Sequence, residues 1–201
     1  DLRAKGAIFV EALDDVPGHT PHADSAGPAP AAEAAQPELP HGTAISLFTY
    51  IVDSTPLTEQ LGDAAFRTKA RALDASLRAI IHEAGGVPVE GKVLGDGVMA
   101  VFTAARDAIA CALRCNAATS ENGLELHLGV HAGDVTREGN NVYGGAVNIA
   151  SRIAGASAPG EILVSDTVRS LARTSAGVEF EDRGEHARGH GRGRYAALSR
   201  R

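Results

Sequence analysis

Residues 91–102, Gly-Lys-Val-Leu-Gly-Asp-Gly-Val-Met-Ala-Val-Phe, constrain the fold of this chain more than any other stretch. Asp96 stands between Gly95 and Gly97, with Lys92 four positions earlier and a β-like run on either side. Asp-Gly between apolar segments predicts a tight hairpin turn, because glycine accepts the positive φ of primed turns. Leu94 and Met99-Ala100-Val101-Phe102 read as buried, so a carboxylate is expected at the end of a two-stranded ribbon. A rigid ribbon holds a side chain in place better than a solvated loop does.

The rest of the chain supplies elements for such a hairpin to pack against. Ala44–Val52 reads as a buried strand, after which Ser54 or Thr55 offers an N-cap and Pro56 suits a first helical turn. Asp63 is expected to cap a helix carrying Phe66, Ala70, Leu73, Leu77 and Ile80-Ile81 at 3.6-residue spacing, ended by Gly85-Gly86. Helices are also predicted over 104–118, 144–156 and 165–172, and strands over 124–135, 161–164, 178–180 and 194–198. Mixed order with antiparallel hairpins points to an α+β fold, a sheet with helices packed on one face.

Composition narrows the classes. Of 201 residues, 44% are hydrophobic and 22% charged, which is globular. No apolar run nears the ~20 residues of a membrane helix. No signal peptide is recognisable. A net charge of −6 argues against nonspecific nucleic-acid binding. Residues 18–42 carry one large apolar side chain, Leu39, among prolines and alanines; such a segment buries too little surface to offset its ordering entropy and reads as a disordered linker. Residues 1–17 form a short segment of unclear origin, and 43–201 the folded domain. Cys111 and Cys115, four apart on an expected helix, read as small buried apolar residues rather than a redox pair.

A second segment, Asn141-Val142-Tyr143-Gly144-Gly145-Ala146-Val147-Asn148-Ile149-Ala150-Ser151-Arg152, puts an amide and a guanidinium on one helix face near a glycine-rich start. That suits phosphate oxygens, as well as a plain solvent-facing stripe. A third is FTYIVDST, residues 48–55. Together the three resemble the class III nucleotidyl cyclase catalytic domain, whose pattern runs F-T-D-I-V-G-S-T, K-x-L-G-D-G and a G-x-x-x-G-x-A/P-V-N-x-A-x-R helix. LHLGVHAGDV, APGEILVSDTV and EFEDRGEH follow in the order the family shows, so the resemblance spans roughly residues 43–198.

The resemblance implies a ferredoxin-like antiparallel sheet with helices, paired head to tail, with active sites at the interface. It implies conversion of ATP to cyclic AMP and pyrophosphate with Mg2+ or Mn2+, in a cytoplasmic homodimer or heterodimer with no role for nucleic acid or a membrane segment. Asp96 matches a metal-binding aspartate, Lys92 the purine-reading residue, Asn148 the ribose-orienting residue and Arg152 the one stabilising the transition state. Lysine is scarce here, with three among 19 basic residues, so Lys92 is not a generic surface choice. Asn141 falls where adenylate cyclases carry Asp or Thr, and its oxygen can accept from the adenine amino group. Arg188 or His190 stands in for the triphosphate-binding lysine.

One departure outweighs these matches. The first metal aspartate is Tyr50, and the glycine three positions later is Asp53. A phenol with a pKa near ~10 is a poor ligand for a hard cation. Asp53 supplies a metal ligand only from a shifted position. Three readings stay open: an active adenylate cyclase, a silent nucleotide-binding regulatory module, and a complementary subunit that lends Lys92, Asn148 and Arg152 to a partner with intact aspartates.

Overall fold

The computed structural model describes residues 42–89, 97–187 and 192–199, all within one compact unit. Its order is β1 (Gly42–Ile51), α1 (Ser54–Leu61), α2 (Asp63–Glu83), β2 (Val87–Pro88), β3 (Gly97–Phe102), α3 (Ala105–Asn122), β4 (Leu126–Glu138), β5 (Asn141–Tyr143), α4 (Gly145–Ala156), β6 (Ile162–Ser165), α5 (Asp166–Ala172), β7 (Glu179–Ala187) and β8 (Arg192–Ser199). The strands align as β2-β3-β1-β4-β6-β8-β7, with β5 folded back onto β4. The run β4-β1-β3-β2, with helices after β1 and β3, is the ferredoxin-like βαββαβ order expected.

Alternation along β1 separates two cores. Ile45, Leu47 and Ile51 point to a thick aliphatic layer shared with Leu73, Leu77 and Ile81 of α2, Ile109 of α3 and Val168 of α5. Ala44 and Phe48 point the other way, into a layer capped by Ala146, Val147, Ala150 and Ala154 of α4. The α2 stripe recurs every four residues, so the helix buries one edge and leaves its polar flank in water. Cys111 and Cys115 of α3 are fully buried free thiols with sulfurs 3.8 Å apart, as small core residues would be.

Four details differ from the sequence reading. Helices cover both faces, because α4 packs opposite α2, α3 and α5. The sheet is antiparallel except at β4–β6, which run parallel because α4 forms the crossover between them. Gly97, expected in the turn, is already in β3 opposite Tyr50, while Gly91–Asp96 of the expected hairpin lie outside the described residues. Finally, the caps sit one residue early: Asp53 precedes α1 and Gly62 precedes α2, leaving Ser54 and Asp63 inside their first turns. The expected burial of Leu94, the segment 1–17 and all of the 18–42 linker but Gly42 lie outside the described residues; Gly42 itself opens β1.

Candidate nucleotide site

The site is built on α4, and β4 decides where α4 lies. A Cβ at Gly129 would run into the backbone of Ala154, and one at Gly133 would press on the Ala146 side chain at 2.9 Å. Two glycines on one face of a strand thus let the helix rest almost directly on the sheet. Its small inward residues, Ala146, Val147, Ala150 and Ala154, complete that close seat. The outward face then carries Asn148 and Arg152, both exposed and one helical turn apart. The structure brings these two together as expected.

Tyr50 approaches the same helix from β1. Its ring stacks on Phe48 with centroids 6.0 Å apart, and its hydroxyl lies 2.7 Å from Ser151 Oγ. Ser151 sits between Asn148 and Arg152 in turn and is half-buried. No motif reading singled it out; its only sequence signal was a hydroxyl three positions after Asn148. The strand below is locked as well, because Thr49 Oγ1 accepts from Val98 N–H at 3.1 Å and donates to Val98 O at 3.2 Å. A Cβ at Gly97 would collide with Thr49 O, so only glycine fits after Asp96.

Asp53 lies at the β1–α1 junction with φ 50 and ψ 39, the one non-glycine residue of positive φ among those described. That left-handed conformation explains why the family pattern carries glycine there, and aspartate is among the few residues that tolerate it. Its carbonyl accepts from Leu57 N–H at 2.9 Å, while its exposed carboxylate makes no capping bond. Asn141 is half-buried in β5, its oxygen accepting from Val142 N–H at 2.8 Å and its amide donating to Tyr143 Oη at 3.2 Å. Lys92, Asp96, Arg188 and His190 lie outside the described residues.

Do these residues fit a pair of divalent ions? Among the described residues no three His, Cys, Asp or Glu side chains gather at one point. The phenol that stands where the resemblance expects the first metal aspartate is engaged by the Ser151 hydroxyl. Hard cations take carboxylate and carbonyl oxygens, so the described residues do not by themselves make a two-carboxylate metal pair. The α4 end is different: an amide and a permanent cation face outward, suited to hydroxyl and phosphate oxygens of a ligand approaching from outside.

A family model described as the adenylate and guanylate cyclase catalytic domain matches residues 38–197. The chain therefore belongs to the adenylate/guanylate cyclase catalytic-domain family. Cyclase domains of this family are metal-dependent, bind nucleotide and work as dimers. A putative adenylate cyclase 3 of Rhizobium meliloti (strain 1021) is 30% identical over 103 residues, covering 47% of this chain and 18% of that protein. The uncharacterised protein Rv0891c of Mycobacterium tuberculosis (strain ATCC 25618 / H37Rv) is 30% identical over 149 residues, 73% of this chain and 52% of its own length. The chain thus spans about half or less of these two relatives. The adenylyl cyclase CyaB from P. aeruginosa superposes with a TM-score of 0.71 at 22% identity, covering 79% of this chain and 94% of that one. The guanylate cyclase domain of RhGC from Catenaria anguillulae, in complex with GTP, gives 0.71 at 20% identity over 80% and 98%. At such identities the likeness fixes the fold alone. No helix among the described residues is long and apolar enough to cross a membrane.

Proposed function

We propose that this domain serves the conversion of ATP to cyclic AMP and pyrophosphate as the half that supplies the base, ribose and transition-state contacts. Its partner at the interface is a second cyclase domain, and the setting is the cytoplasm. The observation that carries this reading is the Tyr50–Ser151 hydrogen bond of 2.7 Å beneath an exposed Asn148–Arg152 pair. It leaves the nucleotide-facing helix ordered while the first metal position holds a phenol engaged elsewhere. In this reading Lys92 and Asn141 contact adenine, Asn148 holds the ribose, Arg152 offsets charge developing on the phosphate, and Arg188 meets the triphosphate. Mg2+ or Mn2+ on the partner's carboxylates would activate the ribose hydroxyl and neutralise the leaving pyrophosphate. A homodimer, with Asp96 and Asp53 as its own metal carboxylates, turns over slowly.

Mixing this chain with a cyclase domain that keeps both metal carboxylates but lacks its own amide and arginine tests the reading. Cyclic AMP should form in the mixture and fall roughly 100-fold or more when this chain carries Arg152→Ala, the usual loss for one transition-state donor. A silent mixture that still binds ATP would assign a regulatory nucleotide-binding module instead. Strong turnover by the unmixed chain, unchanged in the Tyr50→Asp, Asp53→Gly double variant, would show that the metal end is intact.

A further inference from the structure

On the face opposite α4, a cavity of about 300 Å3 opens between α2 and the ends of β1 and β3, with Ile51, Arg67, Arg71, Asp74, Leu77 and Val98 among its walls. Its floor is aliphatic, formed by the buried Ile51, Leu77 and Val98. Its rim is cationic: Arg67 and Arg71 are exposed and stand one turn apart on the same side of α2. Among the described residues neither guanidinium has a hydrogen-bond or ion-pair partner, although Asp63 stands four positions before Arg67. Among the described residues the carboxylate in the wall, Asp74, is engaged by Arg78 Nε at 2.9 Å, which draws its charge away from the rim arginines.

Like charges one helical turn apart destabilise a helix, so this pair costs stability unless an anion sits between them. A bare inorganic anion would satisfy the rim and leave the aliphatic floor unused. Arginine forks match a planar carboxylate with two parallel hydrogen bonds each. The volume lies at the small end of ligand pockets, ~300–1,000 Å3, so the body attached to that carboxylate must be compact. We propose that this cavity binds a compact organic anion, a one- or two-ring apolar body bearing a single carboxylate, its ring on Ile51, Leu77 and Val98 and its charge between Arg67 and Arg71. The location gives such a ligand a lever. Ile51 directly follows Tyr50, and Gly97 and Val98, both in the cavity wall, directly follow Asp96, so an occupant touches both strands beside the metal-end positions.

Calorimetric titration of the full chain with 2-naphthoate is the test, with 2-naphthylmethanol as its uncharged counterpart and sulfate as charge without a ring. Saturable one-to-one binding of the naphthoate is expected. It should weaken at least tenfold in the Arg67→Gln, Arg71→Gln double variant, whose exposed positions leave the fold intact by circular dichroism, and at least tenfold for the alcohol. Ala70→Phe, which fills the cavity from α2, should abolish it. No saturable heat with the unaltered chain overturns the proposal. So does affinity that survives loss of both guanidiniums, or sulfate binding as tightly as the naphthoate. None of these readouts depends on cyclase activity, so the site stands or falls apart from the function proposed above.

Discussion

The two faces of the sheet are built on different principles. Beneath α2, α3 and α5 the strands present large aliphatic side chains, and the helices stand off at the distance those side chains require. Beneath α4 the central strand β4 presents Gly129 and Gly133, and the helix backbone comes down almost onto it, with Phe48, Met99 and Val101 filling the layer beside that seat. Burial area, roughly 25 cal/mol per Å2, favours the first face as the source of stability. The second gives up some of that for position: a helix seated on backbone has little room to rock, so the amide and guanidinium on its outer face hold their places. A thick layer keeps the domain folded, and a thin one aims its chemistry.

That contrast breaks most visibly at Ile109. Ile109→Ala on the thick face should lower unfolding free energy by about 2–5 kcal/mol in a urea titration, the range for a fully buried aliphatic truncation, while leaving the Tyr50–Ser151 contact in place. Gly129→Ala should cost about 1–3 kcal/mol by overpacking. Its signature is faster amide exchange confined to α4, and uniform exchange changes would count against a helix seated on glycine. Tyr50→Phe and Ser151→Ala should each cost about 0.5–1.5 kcal/mol, with the double variant no worse than either single. Full additivity would mean the hydroxyls do not depend on each other.

The smallest effect lies on β7, at the end of the sheet. The Gly184 N–H, and then Arg194, hold the Asp182 carboxyl below its ordinary pKa, and the same pair raises Arg194. A depressed folded-state value means stability that is present above the ordinary carboxylate pKa of ~3.9 and lost as pH falls through the folded one. Asp182→Asn should therefore narrow the gap between the thermal midpoints at neutral and strongly acid pH, by slightly lowering the neutral midpoint while leaving the acid one unchanged. An unchanged gap would remove Asp182 from the acid response.

Much of the architecture was legible because it is written in short range. The α2 stripe at Leu73, Leu77 and Ile81, the buried run of β1 and the Asn148–Arg152 spacing each follow from periodicity within one element. What stayed hidden depends on partners far along the chain. Tyr50 and Ser151 are 101 residues apart, so Tyr50 could be read as a lost ligand but its new partner could not. Gly129 and Gly133 read as ordinary strand glycines until a helix is laid over them. Gly97 misled for a related reason, since it is glycine to clear Thr49 O across the β1–β3 ladder.

The thiols of α3 carry a practical consequence. Cys115 is pushed above its ordinary pKa, first by its hydrogen bond with Cys111 and then by burial, so almost no thiolate exists to react while α3 is docked. An alkylating reagent in excess will therefore label this domain only as fast as α3 lifts from the sheet. The chain carries its own clock for the opening of its thick core, readable by mass without any substitution.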